Sequence, residues 1–194
     1  MELHNKKIIL GSKSPRRKQI LEDAGFDVEV ISFDVPEDYP DTLKENEIAE
    51  FLAIKKAQPC LPMAKDQSLV ITSDSIVVLN GNVYGKPSSY EDAFEILSAL
   101  SGNVHQVYTG VCVADPNSTV SFTEKSDIKF AHLEAEEIHY YLENFKPFDK
   151  AGAYGIQDWI GLCKVEWIHG TFSNIMGLPM ARLYEVIKNW QHIK

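Results

Sequence analysis

The chain has 194 residues, 44% of them hydrophobic, enough to bury a sizeable core in one domain or in two lobes sharing one core. A formal net charge of -9 and a pI near 5.1 argue against general binding to nucleic acid or a membrane surface, because an acidic surface repels polyanions. Three scattered cysteines, Cys60, Cys112 and Cys163, include no CxxC pair and indicate neither a disulfide framework nor a zinc site. With no long apolar run, at the N-terminus or later, the expectation is a cytoplasmic protein without signal peptide or membrane span.

In chain order, Lys7–Leu10 reads as a strand and Pro15–Ala24 as a helix ended by Gly25. Phe26–Ser32 alternates like a strand, and Asp34–Asp41, with Pro36 and Pro40, is a loop. Asn46–Gln58 is a helix with Ile48, Phe51 and Leu52 on one face, stopped by Pro59. Leu69–Ser73 and Ile76–Leu79 are strands, and Asn80-Gly81 signals a hairpin into Asn82–Tyr84. Ser89–Leu100 is a helix with Ser89 and Asp92 in capping positions and Ala93, Ile96, Leu97 and Leu100 facing inward. Strands at Val104–Val113 and Thr119–Phe130, a helix at Glu134–Phe145, a strand at Cys163–Ile168 and a helix at Pro179–Trp190 complete the series. The order is mixed α/β, and the central hairpins disfavour a purely parallel sheet.

Chemistry concentrates where polar residues break this pattern. Gly11-Ser12-Lys13-Ser14-Pro15-Arg16-Arg17 packs cations and hydroxyls into a strand-to-helix turn, with Ser14 fitting the N-cap and Pro15 the first helical position. Free N–H groups and a positive helix end suit an anion, and the arginines offer forked donors to phosphate. Asp74 interrupts an apolar strand, so its carboxylate needs a partner. Glu37 is a loop acid, Lys56 sits beside Lys55 on a helix where both would usually be solvated, and Lys86 lies between Gly85 and Pro87. Together they suggest a site for a triphosphate and a divalent cation: Glu37 and Asp74 as oxygen ligands to Mg²⁺ or Mn²⁺, with lysines and arginines countering phosphate charge. The P-loop, the Rossmann fingerprint, G-x-S-x-G and H-E-x-x-H are all absent from the sequence, and His132 and His139 read as surface residues.

Ser12-x-Ser14-Pro15-Arg16-Arg17, Glu37, Leu52–Ala57, Ser73-Asp74-Ser75-Ile76-Val77, Gly85-Lys86-Pro87, Leu100-Ser101-Gly102, His105–Thr109, Asp149–Gln157 and Gly177-Leu178-Pro179 follow the order and rough spacing of the Maf family, which the chain resembles from about Ile8 to Ile187. The resemblance implies one Maf-like domain over 1–194, a long mixed β-sheet with flanking helices, and two lobes around a central cleft, similar to inosine triphosphatases (Ham1-like). It also implies a cytoplasmic, homodimeric, metal-dependent enzyme that converts a nucleoside triphosphate to monophosphate and diphosphate. The run Gly152-Ala153-Tyr154-Gly155-Ile156-Gln157 looks like the branch acting on dTTP and UTP, in which the positions of Arg17, Ser75 and Gln157 bear on substrate choice. A carboxamide matches the O4/N3–H edge of uracil or thymine, with one donor and one acceptor. Ser73 stands where Ala is common and Ser75 where Thr is common.

The expected mechanism is water attack on the α-phosphorus. Asp74 would orient and deprotonate the water directly or through the metal, Glu37 would help hold the cation, and Lys56 and Lys86 would counter phosphate charge. Ser12, Ser14, Arg16 and the turn N–H groups would grip the polyphosphate. The alternatives are the same chemistry on a modified nucleotide, or a nucleotide-sensing regulator of septum formation without turnover.

Overall fold

The computed structural model describes residues 6–64 and 68–190; the expectation of no leader at the N-terminus therefore falls, for residues 1–5, outside the described residues. The strands are β1 (Lys7–Leu10), β2 (Asp27–Val30), β3 (Ser68–Leu79), β4 (Asn82–Tyr84), β5 (Val104–Ala114), β6 (Thr119–Phe130) and β7 (Val165–His169). The helices are α1 (Pro15–Asp23), α2 (Glu45–Ala57), α3 (Tyr90–Leu100), α4 (Ala135–Phe145), α5 (Trp159–Cys163), α6 (Phe172–Ile175) and α7 (Met180–Lys188). Among the described residues the strands form one seven-stranded sheet, ordered β2-β1-β3-β5-β6-β7 with β4 paired to β3. The sheet is mixed, as expected. Strand β1 runs parallel to β2 and β3, whereas β4 is antiparallel to β3 and β7 to β6. No described helix is long and apolar enough to cross a membrane.

Of the differences from the sequence reading, four bear on the packing or the caps. The two expected strands around Asp74 are one, β3, in which every residue but Ser75 is buried. A strand buried on both faces carries no alternation, so periodicity gives no sign of its continuity. Cys163 closes helix α5 instead of opening a strand, because five residues around the buried Ile160 are too few to show a helical period. Strand β2 is shorter than Phe26–Ser32, and of its alternating residues Val28 is half-buried and Val30 exposed. Pro179 occupies the N-cap of α7, one place before the first helical residue.

The described chain divides into two compact units. The first comprises the described residues up to Asp74, Thr109–Glu124 and those from Gly177 onward. Its core gathers Ile8, Leu10, Ile71, Val111, Leu178 and Leu183. At Gly110 of β5 the backbone of α2 comes so close that a Cβ would stand 2.2 Å from the Ala49 carbonyl carbon and the Glu50 nitrogen. Backbone cannot swing aside as a side chain can. Gly110→Ala is therefore expected to lower unfolding free energy by about 1–3 kcal/mol or more, measured by urea denaturation.

The second unit comprises Ser75–Tyr108 and Lys125–Met176, with a core that includes Val77, Leu97, Leu100, Ile128, Phe130 and Tyr141. Asn80 and Gly81 both take positive φ, 52° and 81°, giving the expected tight turn between β3 and β4. The Ser89 side chain accepts from the Asp92 N–H and caps α3, whose Ala93, Ile96, Leu97 and Leu100 are buried. His132 and His139 are exposed, as expected, whereas His105 is fully buried. His105 lies edge-on to Phe130 and Tyr154, with Nε2 2.8 Å from the Tyr154 hydroxyl. Burial pushes its pKa from 6.5 down to about 4. The unfolded chain takes up this proton below pH 6.5 and the folded one only near pH 4, so the stability contribution is complete above 6.5 and falls as pH drops through that window. The loss by pH 4 is about 3 kcal/mol, and His105→Gln, which keeps a polar partner for Tyr154, should flatten that part of a stability-versus-pH curve.

Candidate active site

Two periodicities bring the catalytic candidates of the first unit together. Thr72 and Asp74, two apart on β3, share one face, and Ala53 and Lys56, three apart on α2, share another. The Thr72 hydroxyl donates to the Ala53 carbonyl at 2.6 Å, and one step along, Lys56 Nζ donates to Asp74 Oδ1. Asp74 is only 8% exposed, in mid-strand. The same ammonium reaches Glu37 Oε1 at 2.8 Å, so the loop acid and the strand acid converge on one lysine. Lys55 is not merely solvated either: its Nζ lies 2.7 Å from Asp38 Oδ1, and Lys13 holds Asp34 at 2.6 Å. Three lysines from α2 and the Gly11–Arg17 turn thus pin the 34–38 loop. Sequence reasoning missed Asp34 and Asp38, because nothing in the linear order matches a loop acid to its lysine.

The turn after β1 is built more tightly than its composition suggests. Gly11 continues the ladder, its N–H donating to the Ile71 carbonyl at 2.8 Å. The glycine is required for space: a Cβ there would meet Thr72 Cγ2 at 2.5 Å and Cys60 Sγ at 2.8 Å. Ser14 occupies the N-cap of α1 and Pro15 opens the helix, as expected, but the Ser14 side chain makes no capping bond. The buried Ser12 hydroxyl accepts from the Ser14 N–H and from Arg17 Nη1, each at 3.2 Å. Arg17 Nε donates to the Gly177 carbonyl at 2.8 Å, and the buried Ser73 hydroxyl donates to that same oxygen at 2.9 Å. Gly177 O is thus a node joining the turn, β3 and the Gly177-Leu178-Pro179 stretch. Desolvation lowers the Arg17 pKa and Arg16 adds to the effect, while Asp74 and Glu37 pull against it; the carboxylates and this guanidinium feel one another's charge. Arg16 is half-buried.

Lys86, Ser75 and Gln157 belong to the second unit. Lys86 is exposed and lines a pocket of about 390 Å³ with Tyr84, Asp92 and Glu95. Ser75 is half-buried beside Asp74 in sequence. The Gly152 N–H donates to the Gly85 carbonyl at 3.0 Å, tying the Lys86 stretch to the loop that carries Gln157. Gln157 is exposed, directly after five buried residues, 152–156.

Glu37 and Asp74 already surround a point of positive charge, so this oxygen pair fits a Mg²⁺ or Mn²⁺ ion that takes its remaining ligands from water and substrate phosphates. Among the described residues no cluster of three or more His, Cys, Asp or Glu side chains offers an all-protein cage.

A family model described as Maf-like protein matches residues 7–190. The dTTP/UTP pyrophosphatase of Parabacteroides distasonis is 48% identical over 186 residues, covering 95% of this chain and 96% of that protein. The protein of the same name from Porphyromonas gingivalis is 44% identical over 188 residues, covering 95% and 94%. Among solved structures, the Staphylococcus aureus Ham1 protein is similar with a TM-score of 0.48 and 22% identity, over 65% of this chain and 72% of that one. The family match spans almost the whole chain and agrees with the ordered motifs, of which Glu37, Lys56 and Asp74 meet in the first unit: the chain belongs to the Maf family.

Proposed function

We propose that this protein hydrolyses dTTP and UTP to the nucleoside monophosphate and diphosphate, a house-cleaning activity on the nucleotide pool. The observation that carries the reading is the mid-strand carboxylate of Asp74, nearly removed from water and held by a lysine that also holds Glu37. A protein that only senses nucleotides has no need of such a group. The names of the relatives, dTTP/UTP pyrophosphatase, support the substrate class.

In the proposed reaction Asp74, with Oδ1 engaged by Lys56, uses its second oxygen to orient a water against the α-phosphorus and accept its proton. Diphosphate leaves. Glu37 and Asp74 would hold a divalent cation, which supplies charge neutralisation at the phosphates when bound. Lys56 and Lys86 counter the charge on the phosphate oxygens, and Ser12, Ser14, Arg16 and the turn N–H groups grip the polyphosphate. Arg17 has Nε and Nη1 engaged with Gly177 and Ser12, so its bearing on substrate choice would act through the clamp it makes on the turn. In this reading Gln157 meets the pyrimidine edge and Ser75 also bears on substrate choice. The reading treats 1–194 as one functional domain whose two units serve a single activity, acting as a homodimer in the cytoplasm on free nucleotides and not on nucleic acid; the acidic net charge of -9 supports the last point.

Assayed with Mg²⁺ or Mn²⁺, the purified protein is expected to release diphosphate from dTTP and UTP. Release of single phosphates, or no turnover of any triphosphate, contradicts the reading. Asp74→Asn keeps the shape and removes base and charge, so kcat should fall about 10²-fold or more. Near-normal turnover by that variant would exclude Asp74 as the base.

A further inference from the structure

The loop that presents Gln157 is held by buried polar groups to which no role has been given. Tyr141, on α4, is fully buried, its ring stacked on Phe145 at 5.2 Å. Its hydroxyl accepts from the Gly155 N–H at 3.0 Å and donates to Asp158 Oδ2 at 2.8 Å. One phenol therefore grips the loop on both sides of Gln157. Burial raises the Tyr141 pKa, which keeps the proton on the oxygen for Asp158. Asp158 stands at the N-cap of α5 yet makes no capping bond with its side chain, which turns to Tyr141 instead. Its N–H closes the turn on the Gly155 carbonyl at 3.0 Å. Gly155 leaves room for this arrangement, because a Cβ there would stand 2.5 Å from Asp158 Oδ2. Just upstream, Ala153 is held at a φ of 56°, in the left-handed region that a residue with a Cβ rarely adopts, and such strain persists only where surrounding contacts enforce it. Tyr154, whose hydroxyl meets His105, supplies one of those contacts.

We propose that Tyr141 and Asp158 are positioning residues for nucleobase selection: their bond, closed around Gly155, fixes the backbone on which Gln157 stands so that its carboxamide meets the base without a cost of ordering. The inference rests on the reading of Gln157 as the base-contacting residue. An exposed side chain gains selectivity when its backbone is fixed in advance.

The test is the ratio of kcat/KM for dTTP to that for CTP, whose edge carries an amino donor in place of O4, measured with the full chain. Gln157→Ala should reduce the ratio about tenfold. Tyr141→Phe should reduce it several-fold, chiefly by raising KM for dTTP and UTP with kcat little changed. In the double variant the ratio should fall no further than in Gln157→Ala alone, because positioning has nothing left to position. Asp158→Asn, which retains an acceptor for the phenol, should restore most of the selectivity that Asp158→Ala loses, and it serves as the second probe if Tyr141→Phe fails to fold. If Gln157→Ala leaves the ratio unchanged, both the reading of Gln157 and this inference fall. A changed ratio in Gln157→Ala with an unchanged one in Tyr141→Phe and Asp158→Ala overturns the positioning role alone. Equal losses for dTTP, UTP and CTP with a lowered melting temperature also overturn it, since they mark a purely structural contact.

Discussion

One ammonium group answers two carboxylates in this protein, and the local architecture of the first unit follows from that demand. An ionised carboxylate in the middle of a buried strand is unfavourable unless a charge partner reaches it, and a lysine in the same place needs its own counter-ion. Lys56 meets both conditions by standing between Asp74 and Glu37. Its position is set by backbone docking: Thr72 ties β3 to Ala53 one helical step before the lysine. Asp38 and Asp34, paired with Lys55 and Lys13, keep the loop bearing Glu37 against that lysine.

The turn after β1 shows a second economy of polar groups. Composition suggests a cluster of cations waiting for phosphate, yet Arg17 is bonded to Gly177 O and Ser12, and Ser12 closes the turn on Ser14. The helix end itself still faces an anion in this turn, because the Ser14 side chain at its N-cap makes no capping bond. Ser73 gains meaning in the same place. Where Ala is common in the family motif, this chain has a hydroxyl that shares Gly177 O with Arg17, an added bond between the strand of Asp74 and the clamp on the turn. The second unit relies on aromatic packing instead: His105, Phe130 and Tyr154 meet edge to face, and Tyr141 reaches from α4 into the Gly155 turn.

The elements legible in the sequence were those with a local cause. The Ser89 cap, the Asn80-Gly81 turn and the inward face of α3 depend on neighbours a few residues away, and the structure has them where the sequence predicts. Asp74 was legible as an anomaly, a charge in an apolar run, although its partner was not identified. The pairing of Lys56 with Asp74 and Glu37 spans 18 and 19 positions, and no spacing rule connects a helix lysine to a loop acid. Arg17 was legible as a cation but not as a clamp, because its acceptor is a backbone carbonyl 160 residues away. Tyr141 and Asp158 gave no signal, being an ordinary aromatic on an amphipathic helix and an acid after the Gly155 turn. The short helix α5 and the continuity of β3 were hidden by brevity in one case and by burial on both faces in the other.

The central claim is that a water activated at Asp74 attacks the α-phosphorus. Turnover of dTTP in water enriched with oxygen-18, followed by mass spectrometry of both products, tests it directly. The account predicts one labelled oxygen in the nucleoside monophosphate and none in the diphosphate. Label in the diphosphate would mean attack at the β-phosphorus and would contradict the account.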